Sequence, residues 1–169
     1  PKFNGDFRAM PAYSNRYKIA AIKWVNSHKN NTDVPNIMAT MIVNDAATGT
    51  PIAIFDATQL TALRTGASSA IATKYCSPNT ATSLAFIGAG AQASTQFLCL
   101  NCIRDWATIT IFDPNNDQSN QLKSLIQTHS NATVTITDTI QTACNNAHVI
   151  TTTTPSSSPI INLDWLSPA

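Results

Sequence analysis

The chain has 169 residues with a net charge of +1, and 43% of its residues are hydrophobic while only 11% are charged. This composition describes a folded chain whose neutral surface is rich in Asn and Thr; without a Lys/Arg cluster, we expect no nucleic-acid partner. No apolar run approaches the ~20 residues of a membrane helix and no signal segment opens the chain, so we expect a cytoplasmic protein with no membrane partner.

The first third of the chain is typical of an antiparallel sheet. Alternating apolar residues predict strands at residues 17–25, 37–44 and 51–55, and the Asp, Asn and Gly content of residues 44–50 predicts a hairpin loop between the last two. Helical spacing follows over residues 58–75, and Pro78 and Asn79 end that helix. The small residues around Gly66 indicate that another segment packs very close to it.

Strands and helices alternate in the remainder. Strands are predicted near residues 84–87, 109–113, 133–136 and 147–151, and helices near 91–103, 117–129 and 139–145. This order predicts a parallel sheet with right-handed crossovers. The predicted fold class is therefore α/β, with a β-rich part over residues 1–60, a connecting helix over 61–77, and a Rossmann-type domain over 78–169 that is incomplete at its C-terminus.

A glycine-containing turn is the most informative stretch. A buried strand stops at Gly88, which permits a tight turn, and Gly90 lets the phosphates of a ligand approach the backbone. The free N–H groups at the start of the next helix, around Ala91 and Gln92, would then face an anion. A lone Gly-x-Gly-x-x-Ala motif is a weak signal, and a simple strand–helix turn is the alternative.

Two further features support a dinucleotide site. Asp113 ends the next strand, where a ribose-binding acid belongs, and its charge disfavours the 2′-phosphate of NADP, so NAD is the expected cofactor. Thr152 and Thr153 follow the fourth strand at the carboxyl edge of the sheet, where ligands bind in such folds. A merely polar loop is the alternative for these threonines.

Lys23 and Arg64 are the candidate anion-binding cations. Lys23 lies in a strand that is apolar on both faces, where a desolvated ammonium must find an anion or lose its proton; the alternative is a lysine that reaches water at the strand end. Arg64 offers a planar fork for a carboxylate or phosphate beside the Thr65 hydroxyl. Its alternative is a structural ion pair, although the chain has only 9 acidic residues.

A metal site is not expected. Cys99 and Cys102 form a Cys-x-x-Cys pair in the helix after the glycine turn, but no second pair or nearby histidine completes a ligand set. We therefore expect buried thiols.

Five sequence blocks, in this order along nearly the whole chain, resemble the ornithine cyclodeaminase/mu-crystallin family. They are Met10-Pro11-Ala12-Tyr13, Lys23-Trp24-Val25-Asn26, the segment 45–51, Thr61-Ala62-Leu63-Arg64-Thr65-Gly66-Ala67, and Ile87-Gly88-Ala89-Gly90-Ala91-Gln92-Ala93. The second and fourth blocks are specific, whereas the glycine turn is not.

The resemblance implies a role for each candidate residue. Lys23 and Arg64 would hold the carboxylate of a small amino-acid substrate, with Lys23 also in the catalytic centre and Met10 in the substrate site. Thr65 and the turn from Gly88 to Gln92 would contact the cofactor phosphates, and Asp113 the adenosine ribose. The β-rich part would bind substrate and form a homodimer in the full-length protein.

The resemblance also implies a mechanism. Hydride leaves the Cα–H of an amino acid for the nicotinamide and produces an imine. In a cyclodeaminase the δ-amine of ornithine attacks that imine, ammonia leaves, and the returning hydride gives proline; in an alanine dehydrogenase water attacks instead. A ketimine reductase or small-ligand-binding protein of the mu-crystallin type is the third alternative. The blocks slightly favour the cyclodeaminase.

Two departures from the family pattern qualify the resemblance. Pro35-Asn36 replaces the Pro-Thr of many members, so a cofactor contact at Asn36 is not expected. The family's catalytic aspartate would lie beyond residue 169 and another substrate-binding arginine before residue 1, so we expect the chain to be a central fragment of such an enzyme.

Overall fold

A computed structural model of the chain describes residues 5–166, and the chain divides into two compact units, Pro1–Thr61 and Ala62–Ala169. The first unit contains four antiparallel strands in chain order: β1 Asp6–Ser14, β2 Ile19–Ser27, β3 Ile37–Asp45 and β4 Pro51–Asp56. Strands β2 to β4 confirm the predicted meander. Strand β2 begins two residues later than predicted because Tyr17 and Lys18 form the preceding turn, where Lys18 has a φ of +52°.

Strand β1 is not predicted from the sequence pattern. It contains Pro11, which has no N–H to donate to a sheet ladder and is therefore confined to edge strands. The observed order places β1 at the edge of the sheet, with Pro11 opposite Ile22 of β2. Pro11 is thus compatible with an edge strand, although a proline in the sequence argues against a strand.

The two faces of this sheet differ. Val25 and Ala39 are buried with Ala57 in a small core, and Lys23 lies on the same face because it is two residues from Val25. The opposite face carries large exposed apolar side chains from all four strands: Phe7, Trp24, Ile42 and Ile54.

Helix α1, Thr58–Cys76, confirms the predicted helix; it begins in the first unit and continues into the second. The second unit holds a parallel sheet of four strands, in the spatial order β7-β6-β5-β8. These strands are β5 Ser83–Ile87, β6 Thr108–Phe112, β7 Thr133–Ile136 and β8 Val149–Thr152. Between them lie α2 Ala91–Asn101, α3 Asn116–His129 and α4 Ile140–Cys144, and a short 3-10 helix, Leu163–Trp165, follows.

The parallel sheet confirms the predicted Rossmann-type α/β fold. Its buried strand β5 supplies Leu84, Ala85, Phe86 and Ile87, all at most 1% exposed, as expected for a strand covered on both faces. The chain leaves β5 for β6 on one side and later returns to β8 on the other side. Ligands bind at such a reversal point, outside the carboxyl ends of the strands. In residues 5–166, no helix is long and apolar enough to cross a membrane.

Candidate functional site

Gly88 makes the turn at the carboxyl end of β5 and is required by the fold itself. Its φ is +98°, and a Cβ atom there would lie 2.7 Å from the carbonyl oxygen of Thr153. Its N–H donates to the carbonyl of Phe112 at 2.7 Å, and its own carbonyl accepts from the Thr153 hydroxyl at 2.6 Å. The turn is therefore fixed between the ends of β6 and β8.

At Gly90, unlike at Gly88, neither the backbone conformation nor the packing requires a glycine. Its φ of −70° and ψ of −172° are accessible to any residue. A Cβ atom there would meet nothing closer than the Gln118 Oε1 atom, at 3.7 Å, which is ordinary van der Waals contact. The absent side chain leaves space above the turn, as the predicted approach of a phosphate requires.

The start of α2 is built differently from the starts of the next two helices. Side chains of Asn115 and Thr139 accept hydrogen bonds from the first turns of α3 and α4. Helix α2 has Gly90 at its N-cap position, and no side chain of the described residues caps its first turn. Its first N–H groups, at Ala91 and Gln92, are thus the ones available to an anion.

Asp113, which follows β6, accepts hydrogen bonds from two backbone N–H groups. Its Oδ2 atom accepts a hydrogen bond from the N–H of Ala89 at 2.7 Å, and its Oδ1 atom accepts one from the N–H of Asn115 at 2.7 Å. A carboxylate has about four acceptor positions, so ribose hydroxyls can still bind. The predicted ribose acceptor lies beside the predicted phosphate turn and also holds it in place.

The two threonines after β8 differ in their surroundings. The Thr153 hydroxyl and N–H are engaged by Gly88 and Ile87, so this side chain supports the glycine turn. Thr152 is exposed at the carboxyl edge of the sheet. A contact of either residue with the cofactor stays a prediction.

Helix α1 packs very closely on α2, as the small residues around Gly66 predicted. A Cβ atom at Gly66 would lie 2.7 Å from the carbonyl oxygen of Thr95 and 2.9 Å from the Cys99 Sγ atom. Thr95 is one helical turn beyond Ala91, and Thr65, the residue before Gly66 in α1, is half-buried. The Arg64 side chain is exposed, and the ion pair shown among residues 5–166, Arg8 with Asp6, does not involve it.

Lys23 belongs to the first unit and is only 5% exposed. Little of this residue reaches water, which argues against the alternative of a lysine that extends to solvent at the strand end. It lies opposite Met10 of β1 and Met41 of β3, and neighbours opposite each other share a sheet face. Met10 therefore lies beside Lys23 on the same face of the sheet, and its role in substrate binding stays a prediction.

Two contributors to the site were not predicted. The N–H of Ala89 forms the link to Asp113, and the side chain of Gln118 lies beside Gly90. The sequence signal that could have predicted Gln118 is Asn115, a residue type that favours a helix N-cap. A cap at Asn115 places the first turn of α3, which contains Gln118, immediately after Asp113.

The cysteines correct one expectation. Cys102 is exposed and Cys99 is half-buried, so the expectation of buried thiols for this pair is wrong for Cys102. Of the other two cysteines, Cys144 is buried and Cys76 is exposed. Burial raises the pKa of the Cys144 thiol. In residues 5–166, no group of three or more His, Cys, Asp or Glu side chains is arranged to hold a metal ion.

The sequence and fold comparisons agree with the class of site described above. The model of the ornithine cyclodeaminase/mu-crystallin family matches residues 1–169, and the chain belongs to this family. Alanine dehydrogenase of Archaeoglobus fulgidus is 37% identical over 166 residues, which cover 96% of this chain and 49% of that protein. The chain thus spans about half the length of this relative.

Solved structures give the same assignment. An archaeal alanine dehydrogenase dimer with bound NAD matches with a TM-score of 0.89 and 35% identity, covering 96% of this chain and 50% of that chain. Δ1-pyrroline-2-carboxylate reductase of Thermococcus litoralis, in complex with NADH and L-proline, matches with a TM-score of 0.91 and 27% identity, covering 98% of this chain and 52% of that one. Both neighbours were solved with NAD or NADH bound, in agreement with the expected cofactor.

Proposed function

We propose that the complete protein is an NAD-dependent oxidoreductase that acts on the Cα–N bond of a small amino acid or on the corresponding imine. One observation carries this proposal: the turn at Gly88, the open space at Gly90, the uncapped start of α2 and the Asp113 carboxylate lie together at the carboxyl edge of β5 and β6. Membership of the family and the NAD-bound neighbours support the same conclusion.

The residues present fit NAD. The first N–H groups of α2 and the helix dipole attract the diphosphate, and Asp113 accepts hydrogen bonds from the adenosine ribose while repelling a 2′-phosphate. Thr65, beside the contact between α1 and α2, can donate its hydroxyl to a phosphate oxygen. When bound, NAD supplies the acceptor for a hydride.

In this proposal the first unit binds the substrate. Lys23, which is buried in this unit, is proposed to bind the substrate carboxylate. A carboxylate contact of Arg64, which belongs to the second unit, rests on the family resemblance and stays a prediction. Holding the carboxylate fixes the direction of the Cα–H bond, which is the orientation that hydride transfer requires. The proton donors and acceptors for the amine are proposed to lie outside residues 1–169.

The neighbours of Lys23 favour a substrate with one amine. Met10 and Met41 flank it, and Phe55 lies beyond Met41 in the same row. These side chains suit a short apolar group and offer no partner for a second ammonium. Oxidative deamination of alanine, or the reverse reductive reaction, is therefore the better supported activity, although the sequence blocks favoured ornithine cyclisation.

The acids of the same sheet face are distant and engaged. Within the described strands, Asp6 and Asp45 lie on the face of Lys23, each four residues along its strand from the row of Lys23, or about 13 Å. Asp6 pairs with Arg8. Asp45 accepts hydrogen bonds from Thr48 and Ala47 that lower its pKa, so it remains a carboxylate that holds the turn.

The ratio of reduced nicotinamide to ammonia distinguishes an alanine dehydrogenase from an ornithine cyclodeaminase. The complete protein is incubated with NAD and either L-alanine or L-ornithine, and reduced nicotinamide and ammonia are measured together. The proposal expects equal amounts of both from alanine. Ammonia without reduced nicotinamide, from ornithine alone, would instead establish the cyclodeaminase. Failure to bind NADH would refute the oxidoreductase itself.

We also propose that the complete protein is a homodimer joined through the first unit. Trp24 is 50% exposed and Ile54 is 68% exposed on one sheet face, and contiguous apolar surface of this kind marks an interaction site. The neighbouring alanine dehydrogenase is described as a dimer. A location in the cytoplasm stays a prediction.

A further inference from the structure

Gln118 flanks the space above Gly90. Of the atoms outside the turn, its Oε1 is the one found within 4 Å of the position that a Cβ of Gly90 would occupy, at 3.7 Å. A group that fills this space must therefore approach the Gln118 side chain as well as the backbone of the turn.

The position of Gln118 is set by a short chain of hydrogen bonds that starts at the glycine turn. Ala89 N–H donates to Asp113, and Asp113 accepts from Asn115 N–H at its other oxygen. The side chain of Asn115 in turn accepts from the N–H groups of Asp117, at 2.9 Å, and Gln118, at 3.4 Å. The first turn of α3 is thus held at a defined position relative to Gly90.

The side chain itself is suited to a ligand contact. Gln118 is exposed, so it makes little contribution to the core and its terminal amide can rotate. That amide carries two N–H donors and one acceptor. Rotation brings an N–H toward an oxygen lying over Gly90, and the neutral amide adds no repulsion to a negatively charged ligand.

We propose that Gln118 is a cofactor-positioning residue that donates a hydrogen bond from its side-chain amide to the phosphate–ribose segment of the adenosine half of the dinucleotide. This inference rests on the proposed dinucleotide site. It adds a residue from α3 to a site otherwise formed by the glycine turn, the start of α2 and Asp113.

The test is the affinity of the complete protein for NADH, measured from the change in nicotinamide fluorescence on binding. Gln118→Ala removes one hydrogen bond and weakens binding by about threefold to tenfold. Gln118→Glu places a carboxylate beside the phosphates and weakens binding further, with a loss that grows as salt is lowered. Gln121→Glu is the matched control, because it makes the same charge change on an exposed position of the same helix and should leave binding unchanged.

ADP-ribose, used as a competitor of NADH, locates the effect. Gln118→Ala should weaken the binding of ADP-ribose by the same factor as the binding of NADH, because both ligands contain the adenosine half. Unchanged affinity for NADH in both Gln118 variants, with a wild-type protein that binds NADH, would overturn the inference alone. A wild-type protein that binds neither NADH nor ADP-ribose would overturn the proposed function.

Discussion

The carboxylate of Asp113 accepts a hydrogen bond from the backbone N–H of Ala89 at 2.7 Å. Ala89 lies between Gly88 and Gly90, so the acid at the end of β6 directly holds the turn at the end of β5. The acid that we propose to select the cofactor therefore also fixes the turn that we propose to bind the cofactor phosphates.

Cofactor choice should depend on Asp113. We expect the complete protein to bind NADH roughly tenfold or more tightly than NADPH, because a 2′-phosphate would face the carboxylate. The double variant Asp113→Ser with Pro114→Arg should reverse this preference, since it removes the negative charge and adds a cation. Fluorescence titration with both cofactors measures the ratio, and equal affinity of the wild type for the two would refute the assignment.

The two glycines of the turn should respond differently to alanine. Gly88→Ala should lower the free energy of unfolding by about 1–3 kcal/mol, because φ is +98° and Thr153 occupies the space. Gly90→Ala should change it by less than about 0.5 kcal/mol yet weaken NADH binding, because the new methyl group enters the phosphate space. Thermal unfolding and NADH titration of both variants are the measurements. Unaltered NADH binding by Gly90→Ala would argue against a ligand at that position.

Lys23→Met should separate catalysis from stability. Met10 and Met41 flank the site, so a methionine fits the row and keeps the apolar contacts of the lysine stem, and the change in Tm should be small beside the loss of activity. Loss of a charge-assisted contact should lower kcat/KM by about tenfold to hundredfold. Lys74→Met, at an exposed lysine in the last turn of α1, is the control. Near-normal kcat/KM in Lys23→Met would show that Lys23 is only structural.

The apolar sheet face should be the dimer contact. Ile54→Lys introduces a charge at a side chain that is 68% exposed in this structure, and it should convert the dimer to a monomer because an unpaired buried ammonium is costly. Val34→Lys is the control at an exposed loop position. Light scattering after size-exclusion chromatography measures the mass. A dimer in both variants would place the contact elsewhere.

Local sequence signals were sufficient for much of the second unit. Strand β5, the glycine turn and the acid at the end of β6 each have a pattern that a few neighbouring residues determine. Helix α2 ends at Asn101, two residues earlier than predicted, and β8 begins at Val149, two residues later. These differences concern element ends, where local preferences are weakest.

Tertiary contacts account for what the sequence did not show. Strand β1 could not be found from its own residues because only its edge position makes Pro11 acceptable. The sequence predicted that a segment packs closely against Gly66, but not which one. That this segment is α2, at Thr95, depends on how α1 crosses α2. The position of Gln118 beside Gly90 depends on the Asp113 hydrogen bonds, which join two segments 24 residues apart.

Hydride transfer from Cα is the central claim, and isotopic labelling tests it most directly. The complete protein is incubated with NAD and L-alanine that carries deuterium at Cα, and the reduced cofactor is analysed by mass spectrometry. The account expects monodeuterated NADH, formed at the same rate as ammonia. Reduced cofactor without deuterium, or ammonia released without NADH from this substrate, would contradict it.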